Sequence, residues 1–68
     1  MWMTVYMIRN KKSKDYIDHE GYECEDIFGG TQWFNLREAK SFLMDLDEPS
    51  EFEIVEVKMS YEEIGVIE

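Results

Sequence analysis

The side chains that could support chemistry in this chain are one histidine, one cysteine and sixteen carboxylates. His19 and Cys24 are five residues apart, and an odd separation in a regular strand places two side chains on opposite faces. A thiol–imidazole nucleophile also needs a third group that orients the histidine, and the spacing indicates none. We therefore expect no enzymatic activity, with an exposed histidine and a half-buried, unpaired thiol.

The spacing also argues against a metal site. Five neighbouring side chains offer ligand atoms: Asp18, His19, Glu20, Glu23 and Cys24. Structural zinc sites use four ligands, usually as two spaced pairs, and neither C-x-x-C nor H-x-x-x-H occurs in the chain. The carboxylates of residues 45–48 lack the glycine and the length of a calcium-binding loop. We expect no metal ion and no cofactor.

The charge of the chain is sharply divided along its length. The formal net charge is −9, and all sixteen acidic residues follow Lys14. Four of the seven basic residues form one turn: Arg9, Lys11, Lys12 and Lys14. Such a field repels nucleic acid and anionic lipid over most of the surface and attracts basic protein surfaces. Direct binding of nucleic acid by the basic turn is therefore disfavoured, because the surrounding carboxylates oppose the approach of phosphates.

Acidic residues are spaced so closely along two predicted strands that their charge density resembles that of a nucleic acid. The predicted partner-binding carboxylates are Asp18, Glu20, Glu23, Glu25, Asp26, Glu51, Glu53 and Glu56. Tyr22 or Trp2 would supply an exposed aromatic anchor of the kind that dominates binding energy. If these groups share one face, they form an anionic surface suited to a basic groove that normally holds DNA or RNA.

The length of 68 residues allows one small domain over residues 1–68. A single cysteine excludes an internal disulfide, so dense aromatic packing or self-association must support the small core. Patterned apolar residues, 44% of the chain, argue against disorder. No apolar run is long enough to span a bilayer, and the first residues do not resemble a signal peptide, so we expect a cytoplasmic protein.

The hydrophobic pattern predicts a β-hairpin, a short strand, a helix and a final strand. Residues 3–8 are apolar in both alternation phases, which is typical of a central strand covered on both faces. Residues 15–28 read as an irregular second strand broken near Gly21. Gly29 and Gly30 supply the positive φ angles of a hairpin turn, after which residues 31–34 form a short third strand.

The helix signal is the strongest local signal in the chain. Asn35 is suited to accept hydrogen bonds from free N–H groups at a helix start, and Glu38 completes a capping-box pattern. An apolar stripe follows at helical spacing: Ala39, Phe42, Leu43 and Leu46. Pro49 ends the helix. Residues 51–61 form the last strand, whose pattern changes phase at Ile54 and Val55, either through a bulge or because both faces are covered.

These elements predict an α+β fold, in which one helix covers one face of a small antiparallel or mixed sheet. The other face would then carry an uncovered apolar patch, formed by Trp2, Tyr6 and Ile8 or by Phe52 and Ile54. Such a patch marks an interface, and a homodimer packed sheet to sheet is one way to cover it.

Three stretches of the chain, residues 5–16, 31–42 and 52–57, resemble in their order very small acidic proteins encoded by phages and prophages. They read V-Y-M-I-R-N-K-K-S-K-D-Y, T-Q-W-F-N-L-R-E-A-K-S-F and F-E-I-V-E-V. The resemblance implies a ββαβ-type fold and a viral origin, and it carries no catalytic residues. Many small acidic phage proteins disarm restriction, CRISPR or repair enzymes of the host.

Two hypotheses for the function follow. The first is a non-enzymatic inhibitor that presents a DNA- or RNA-mimicking surface to a basic host protein. The alternative is a homo-oligomeric accessory module that uses an exposed apolar sheet face.

Overall fold

The computed structural model describes residues 2–60, 62 and 64–67. The elements in chain order are β1 (Trp2–Asn10), β2 (Tyr16–Ile17), β3 (Glu23–Cys24), α1 (Leu36–Met44) and β4 (Phe52–Ser60). Two short 3-10 helices, Ile27–Gly29 and Pro49–Glu51, lie before α1 and β4 respectively. The strands form one antiparallel sheet in the order β3-β2-β1-β4. The predicted α+β class is confirmed, and the sheet is antiparallel rather than mixed.

β1 is a central strand, as its apolar residues in both alternation phases predict. Its whole length pairs with β4, from Trp2 opposite Ser60 to Asn10 opposite Phe52. The register continues without a shift through Ile54 and Val55, so the bulge considered there is absent from β4. The predicted last strand is confirmed from residue 52 to residue 60, and Tyr61 lies outside the described residues.

Antiparallel pairing sorts the side chains of β1 and β4 onto two faces, because directly opposed residues project to the same side. The even-numbered positions, which include Tyr6 and Ile8, form one face. Trp33 pairs with Tyr6 in an isolated bridge, and the Trp33 ring centroid is 5.0 Å from that of Phe42 in α1. We therefore place α1 over this even-numbered face, here called the helix face.

The odd-numbered positions form the other face, here called the methionine face. Its residues in β1 and β4 include Met3, Val5, Met7, Val55, Val57 and Met59. Ile27 and Phe28 of the first 3-10 helix line a groove of about 210 Å³ with Met7, Val57 and Met59. Val5 and Met7 are buried. Both faces of β1 are thus covered, which explains why the strand alternates apolar residues in both phases.

The predicted uncovered patch is wrong for most of its members. Ile8 is fully buried on the helix face, and Tyr6, Phe52 and Ile54 are half-buried, because α1 covers this face. Trp2 alone remains exposed, at 60% of its surface, since it lies at the end of the sheet.

The predicted helix start is confirmed. The Asn35 side-chain oxygen accepts a hydrogen bond from the backbone N–H of Arg37 at 2.7 Å. Ala39 is buried. The helix ends at Met44, before the predicted stop at Pro49, so Leu46 lies beyond it. The carboxylates of residues 45–48 are unfavourable at the negative end of the helix dipole, which is consistent with the early end.

The predicted second strand over residues 15–28 is wrong. Two short strands, β2 and β3, pair there as an antiparallel hairpin. The turn between them is stabilised by Asp18, whose carboxylate accepts hydrogen bonds from the N–H groups of Glu20 and Tyr22, each at 2.9 Å. Gly21 has a φ of +91°, a backbone conformation that favours glycine. The break near Gly21 is therefore the hairpin turn itself.

The hairpin turn predicted at Gly29 and Gly30 is also wrong. Gly29 ends the first 3-10 helix, and Gly30 follows it with an extended backbone at φ −81°. A Cβ atom at Gly30 would lie 2.7 Å from the Tyr16 Cβ and 2.8 Å from the Met7 Cε. Glycine is required here because the backbone passes close to β1 and β2, and the requirement is steric rather than torsional.

The predicted third strand over residues 31–34 is reduced to one bridging residue. Trp33 pairs with Tyr6 of β1, and the N–H of Thr31 donates to the Ile17 carbonyl at 3.1 Å. This segment therefore continues the line of β2 along the same edge of β1. Among the described residues, no helix has the length and apolar character needed to cross a lipid bilayer.

Candidate partner-binding surface

An open cleft of about 530 Å³ lies where the β2–β3 hairpin faces the connection between α1 and β4. The lining residues are Asn10, Gly21, Tyr22, Glu23, Leu46, Asp47, Glu48, Glu51 and Phe52. Four of them carry carboxylates and none is basic, so we call this feature the acidic cleft. Its apolar surface comes from Leu46, Phe52 and Tyr22. The cleft therefore combines negative charge with apolar surface, a combination that suits long basic side chains.

The hairpin sets the positions of Tyr22 and Glu23. The hydrogen bonds of Asp18 close the turn, and Asp18 N–H donates to the Tyr22 carbonyl at 2.9 Å. Glu23 pairs with Ile17, while Tyr22 stays 67% exposed. The short strands therefore hold an aromatic ring and a carboxylate at one wall of the acidic cleft.

The connection between α1 and β4 provides the other wall. Glu48 precedes the second 3-10 helix and Glu51 ends it, so the two carboxylates are three residues apart, a spacing that brings side chains together in a 3-10 helix. The pKa of Glu48 is raised, chiefly by a hydrogen bond with Glu51 and to a smaller extent by repulsion from the charge of Glu51. Burial and the charge of Asp47 contribute in the same direction. A raised pKa is a sign of concentrated negative charge, which a cationic partner would relieve.

Glu53 and Glu56, both predicted to bind a partner, project from opposite faces of β4. Glu53 lies on the methionine face opposite Arg9, whose Nε donates to Glu53 Oε2 at 2.5 Å. The Lys14 Nζ atom is 3.5 Å from the same oxygen. The hydrogen bond from Arg9 lowers the pKa of Glu53, and the charges of Lys14 and Arg9 add to the effect. The charge of Glu53 is therefore largely neutralised within the protein, and only Glu56 presents an exposed carboxylate.

Two further predicted carboxylates support turns. Asp18 closes the β2–β3 hairpin, and Asp26 accepts a hydrogen bond from the N–H of Phe28 at 2.9 Å at the start of the first 3-10 helix. Glu20 and Glu25 are exposed on the hairpin. The predicted acidic residues therefore do not share one surface. Glu23 and Glu51 both line the acidic cleft, and Glu20 and Glu25 are close to Glu23 in the sequence. Glu53 and Glu56 lie elsewhere, on β4.

The two predicted aromatic anchors lie at opposite ends of the sheet. Trp2 begins β1, whereas Tyr22 lines the acidic cleft with Asn10 at the end of β1. Eight strand steps separate these ends, which corresponds to about 26 Å. Trp2 instead contacts Lys58, whose Nζ lies 4.7 Å from the Trp2 ring centroid. Tyr22 alone is placed to act together with the clustered carboxylates.

The basic turn borders the acidic cleft. The N–H of Lys11 donates to the Glu51 carbonyl at 2.9 Å, and the Asn10 side chain caps the turn by accepting from the N–H groups of Lys12 and Ser13. Lys11 and Lys12 line a hollow with Asn10 and Glu51. Positive and negative surfaces therefore adjoin at Glu51, a neighbourhood that the order of residues along the chain does not reveal.

Two cleft carboxylates, Asp47 and Glu48, were missing from the predicted set. The available signal was Pro49, which starts the 3-10 helix and brings the preceding acidic residues back toward Glu51.

His19 and Cys24 lie on the β2–β3 hairpin. The His19 Nε2 is 3.8 Å from Glu20 Oε1 on the exposed turn, and Cys24 is half-buried in β3. Within residues 2–60, 62 and 64–67, no group of three or more histidine, cysteine, aspartate or glutamate side chains is arranged to hold a metal ion.

No protein-family model, curated protein or solved structure matches this chain.

Proposed function

We propose that the protein is a non-enzymatic inhibitor that binds a basic, nucleic-acid-handling host protein through the acidic cleft and the adjoining hairpin. The observation that carries this proposal is the meeting of four carboxylates around an exposed tyrosine. Glu23 comes from the hairpin, Asp47 and Glu48 from the connection after α1, and Glu51 from the segment before β4. A lysine or arginine inserted between these walls would meet carboxylates on both sides and apolar surface from Leu46 and Phe52.

The overall charge and shape support the same partner class. A net charge of −9 on a small protein steers a basic partner toward it and speeds association. The molecule is elongated, with principal extents of 47 × 23 × 19 Å. The two short extents are comparable with the width of a nucleic-acid duplex, so a groove built for DNA or RNA could accommodate the protein sideways.

Tyr22 is the proposed anchor residue. Its side chain is two-thirds exposed at the edge of the acidic cleft, although it is large and partly apolar. Aromatic residues of this kind dominate the energy of many interfaces, and a tyrosine ring also attracts arginine through its electron-rich face.

A phage origin and action in the host cytoplasm complete the proposal, on the basis of the resemblance to small acidic phage proteins. The candidate targets are then restriction, CRISPR and repair enzymes, all of which hold nucleic acid in basic grooves.

The test is displacement of DNA from purified host proteins of these three types. A fluorescent duplex is bound to each protein, and its anisotropy is followed while the inhibitor is added at low and at high salt. We expect displacement from one of them, with an affinity that falls steeply as salt increases. Glu23→Lys and Glu51→Lys should each weaken displacement by about tenfold or more, and Tyr22→Ser should weaken it as well.

Glu62→Lys is the matched control, because it makes the same charge change at an exposed position outside the acidic cleft. It should alter displacement far less than the two cleft variants. Equal effects of all three lysine variants would contradict a localised site. Absence of displacement from every protein tested, or displacement that is insensitive to salt, would contradict the proposal itself.

A further inference from the structure

β4 is an edge strand with a long unpaired side. The sheet order places β1 on one side of it, and no described residue pairs with the other side. The nine residues of β4 present unpaired backbone groups that can bind a strand of another chain. Proteins usually cover or interrupt such an edge.

The backbone bonds of β1 reveal which groups of β4 point outward. The N–H of Tyr6 donates to the Trp33 carbonyl, and the N–H of Asn10 donates to the Asp15 carbonyl, so even-numbered residues of β1 direct their backbone groups away from β4. In an antiparallel pair, two directly opposed residues either both direct their backbone groups toward each other or both direct them away. The outward-pointing backbone groups of β4 therefore belong to its even-numbered residues, Phe52, Ile54, Glu56, Lys58 and Ser60.

We propose that two copies of this chain pair β4 against β4, antiparallel, about a twofold axis at Val57. In this register Glu56 of each copy faces Lys58 of the other, and Ile54 faces Ser60. All four positions carry outward-pointing backbone groups, so the pairing makes about eight backbone hydrogen bonds.

Charge distinguishes this register from its competitors. A twofold axis at Glu56 opposes two glutamates, and an axis at Lys58 opposes two lysines, which is destabilising in either case. An axis at Val55 leaves both charged residues opposite apolar ones. An axis between two residues would pair outward-pointing groups with inward-pointing ones and is excluded. The Val57 axis alone places opposite charges together, and it does so twice.

Glu56 and Lys58 are suited to this contact. Both side chains are exposed on the helix face. Neither forms an ion pair with another residue in the part of the chain that the structure describes. The Lys58 Nζ lies 4.7 Å from the ring centroid of Trp2, a residue of β1, so the Lys58 side chain has to turn toward the open edge of β4 to meet Glu56 of the second copy.

The methionine face contributes apolar contact to the same interface. Val57 would face Val57 of the second copy, and Val55 would face Met59. Val57 and Met59 border the groove of Phe28, which is 82% exposed, so the pairing would extend this apolar surface across the two sheets. This pairing replaces the sheet-to-sheet dimer considered from the sequence, because α1 and the first 3-10 helix cover parts of both faces.

The pairing is independent of the proposed inhibitory function. The paired segment, residues 54–60, leaves Glu51 and Phe52 of the acidic cleft unpaired. Failure of DNA displacement would therefore not affect the dimer, and a monomeric protein would not affect the cleft.

The first test is sedimentation of five chains. We expect the native chain to sediment as a dimer. Lys58→Glu and Glu56→Lys should each weaken dimerisation by about tenfold to a hundredfold, because two attractive pairs become repulsive. The double variant Glu56→Lys/Lys58→Glu should restore the dimer. Lys40→Glu, an equal charge change on the exposed side of α1, should leave dimerisation unchanged.

A second test reports the register directly. In a Cys24→Ser background, Val57→Cys should form a reducible cross-linked dimer under mild oxidation, because the two side chains meet at the axis. Val55→Cys, a matched change on the same face, should not. A monomeric native chain, a double variant that fails to restore the dimer, or cross-linking through position 55 instead of position 57 would each overturn the proposal.

Discussion

Arg9 and Glu53 occupy opposed positions on β1 and β4, where the Arg9 Nε donates a hydrogen bond to Glu53 Oε2. Lys14, which follows the turn after β1 with a φ of +67°, brings its ammonium group to 3.5 Å from the same oxygen. The hydrogen bond to Glu53 raises the pKa of Arg9, and that from Arg9 lowers the pKa of Glu53. One carboxylate thus links the basic turn to the last strand of the sheet.

Glu53→Gln should lower stability in a pH-dependent way. A carboxyl group whose pKa is lower in the folded state stabilises the fold above its unfolded pKa, and this contribution is lost as pH falls through the folded pKa. We expect a lower urea midpoint for the variant near pH 7 and convergence of the two chains as the pH falls through the lowered pKa of Glu53. Tryptophan fluorescence during urea titration measures the midpoints of the two chains at each pH. Glu62→Gln, in the exposed tail, is the control, and a difference that persists in acid would contradict the ion pair.

Glu48→Gln should have the opposite effect. The pKa of Glu48 is raised, so its contribution to stability is present below the unfolded pKa and is lost as pH rises through the folded pKa. Replacing the charged carboxyl by a neutral amide removes the repulsion from Glu51 and supplies an N–H donor for the hydrogen bond with Glu51. We expect a higher urea midpoint near neutral pH and little difference in acid. An unchanged or lower midpoint at neutral pH would show that the two carboxylates do not repel in the folded chain.

Gly30→Ala should destabilise the fold by about 1–3 kcal/mol through overpacking. The new methyl group would meet the Tyr16 Cβ, which cannot move without shifting β2. The comparison is Gly21, where an added Cβ meets nothing within 4 Å but φ is +91°. Gly21→Asn should be milder than Gly21→Ala, because asparagine tolerates positive φ, whereas Gly30→Asn should be worse than Gly30→Ala. Urea unfolding of the four variants checks this order.

Asn35→Ala should destabilise the protein by about 1 kcal/mol, because the N–H of Arg37 loses its acceptor. Asn35→Asp retains an acceptor at the same position and should remain close to the native chain. Thermal unfolding followed by circular dichroism measures both variants. Equal stability of the alanine and native chains would mean that water satisfies the helix start equally well.

The main elements of the fold could be predicted from local patterns. β1 is apolar in both alternation phases because it is covered on both sides, and this pattern identifies a central strand without any knowledge of its partners. Asn35 identifies the helix start because its side chain acts on residues immediately beside it.

The hairpin of β2 and β3 could not be predicted in the same way. Each strand has two residues, too few for an alternating pattern, and the turn depends on hydrogen bonds to Asp18. Gly29 and Gly30 do not form the predicted turn. Glycine is selected both by a positive φ and by a close approach of two backbones, and the sequence does not distinguish these two causes. Gly30 is required by Tyr16 and Met7, which lie far away in sequence.

The candidate site was predicted in part for a related reason. The sequence identifies acidic residues, but whether a carboxylate is neutralised depends on which residue lies opposite it. Glu53 faces Arg9 only because β1 and β4 pair over their full length, and Glu23 meets Glu51 only because the hairpin faces the segment after α1. These contacts are set by tertiary structure rather than by neighbouring residues.

The full-length pairing of β1 with β4 also constrains how the chain is made. A ribosome completes β1 well before β4, yet most of the strand pairs of β1 are with β4. During translation the emerging apolar strand has only a few partners in β2 and at Trp33, so the nascent chain cannot complete its sheet. Any stop codon before residue 52 would release a polypeptide in which the β4 side of β1 is unpaired, a species prone to aggregation and degradation.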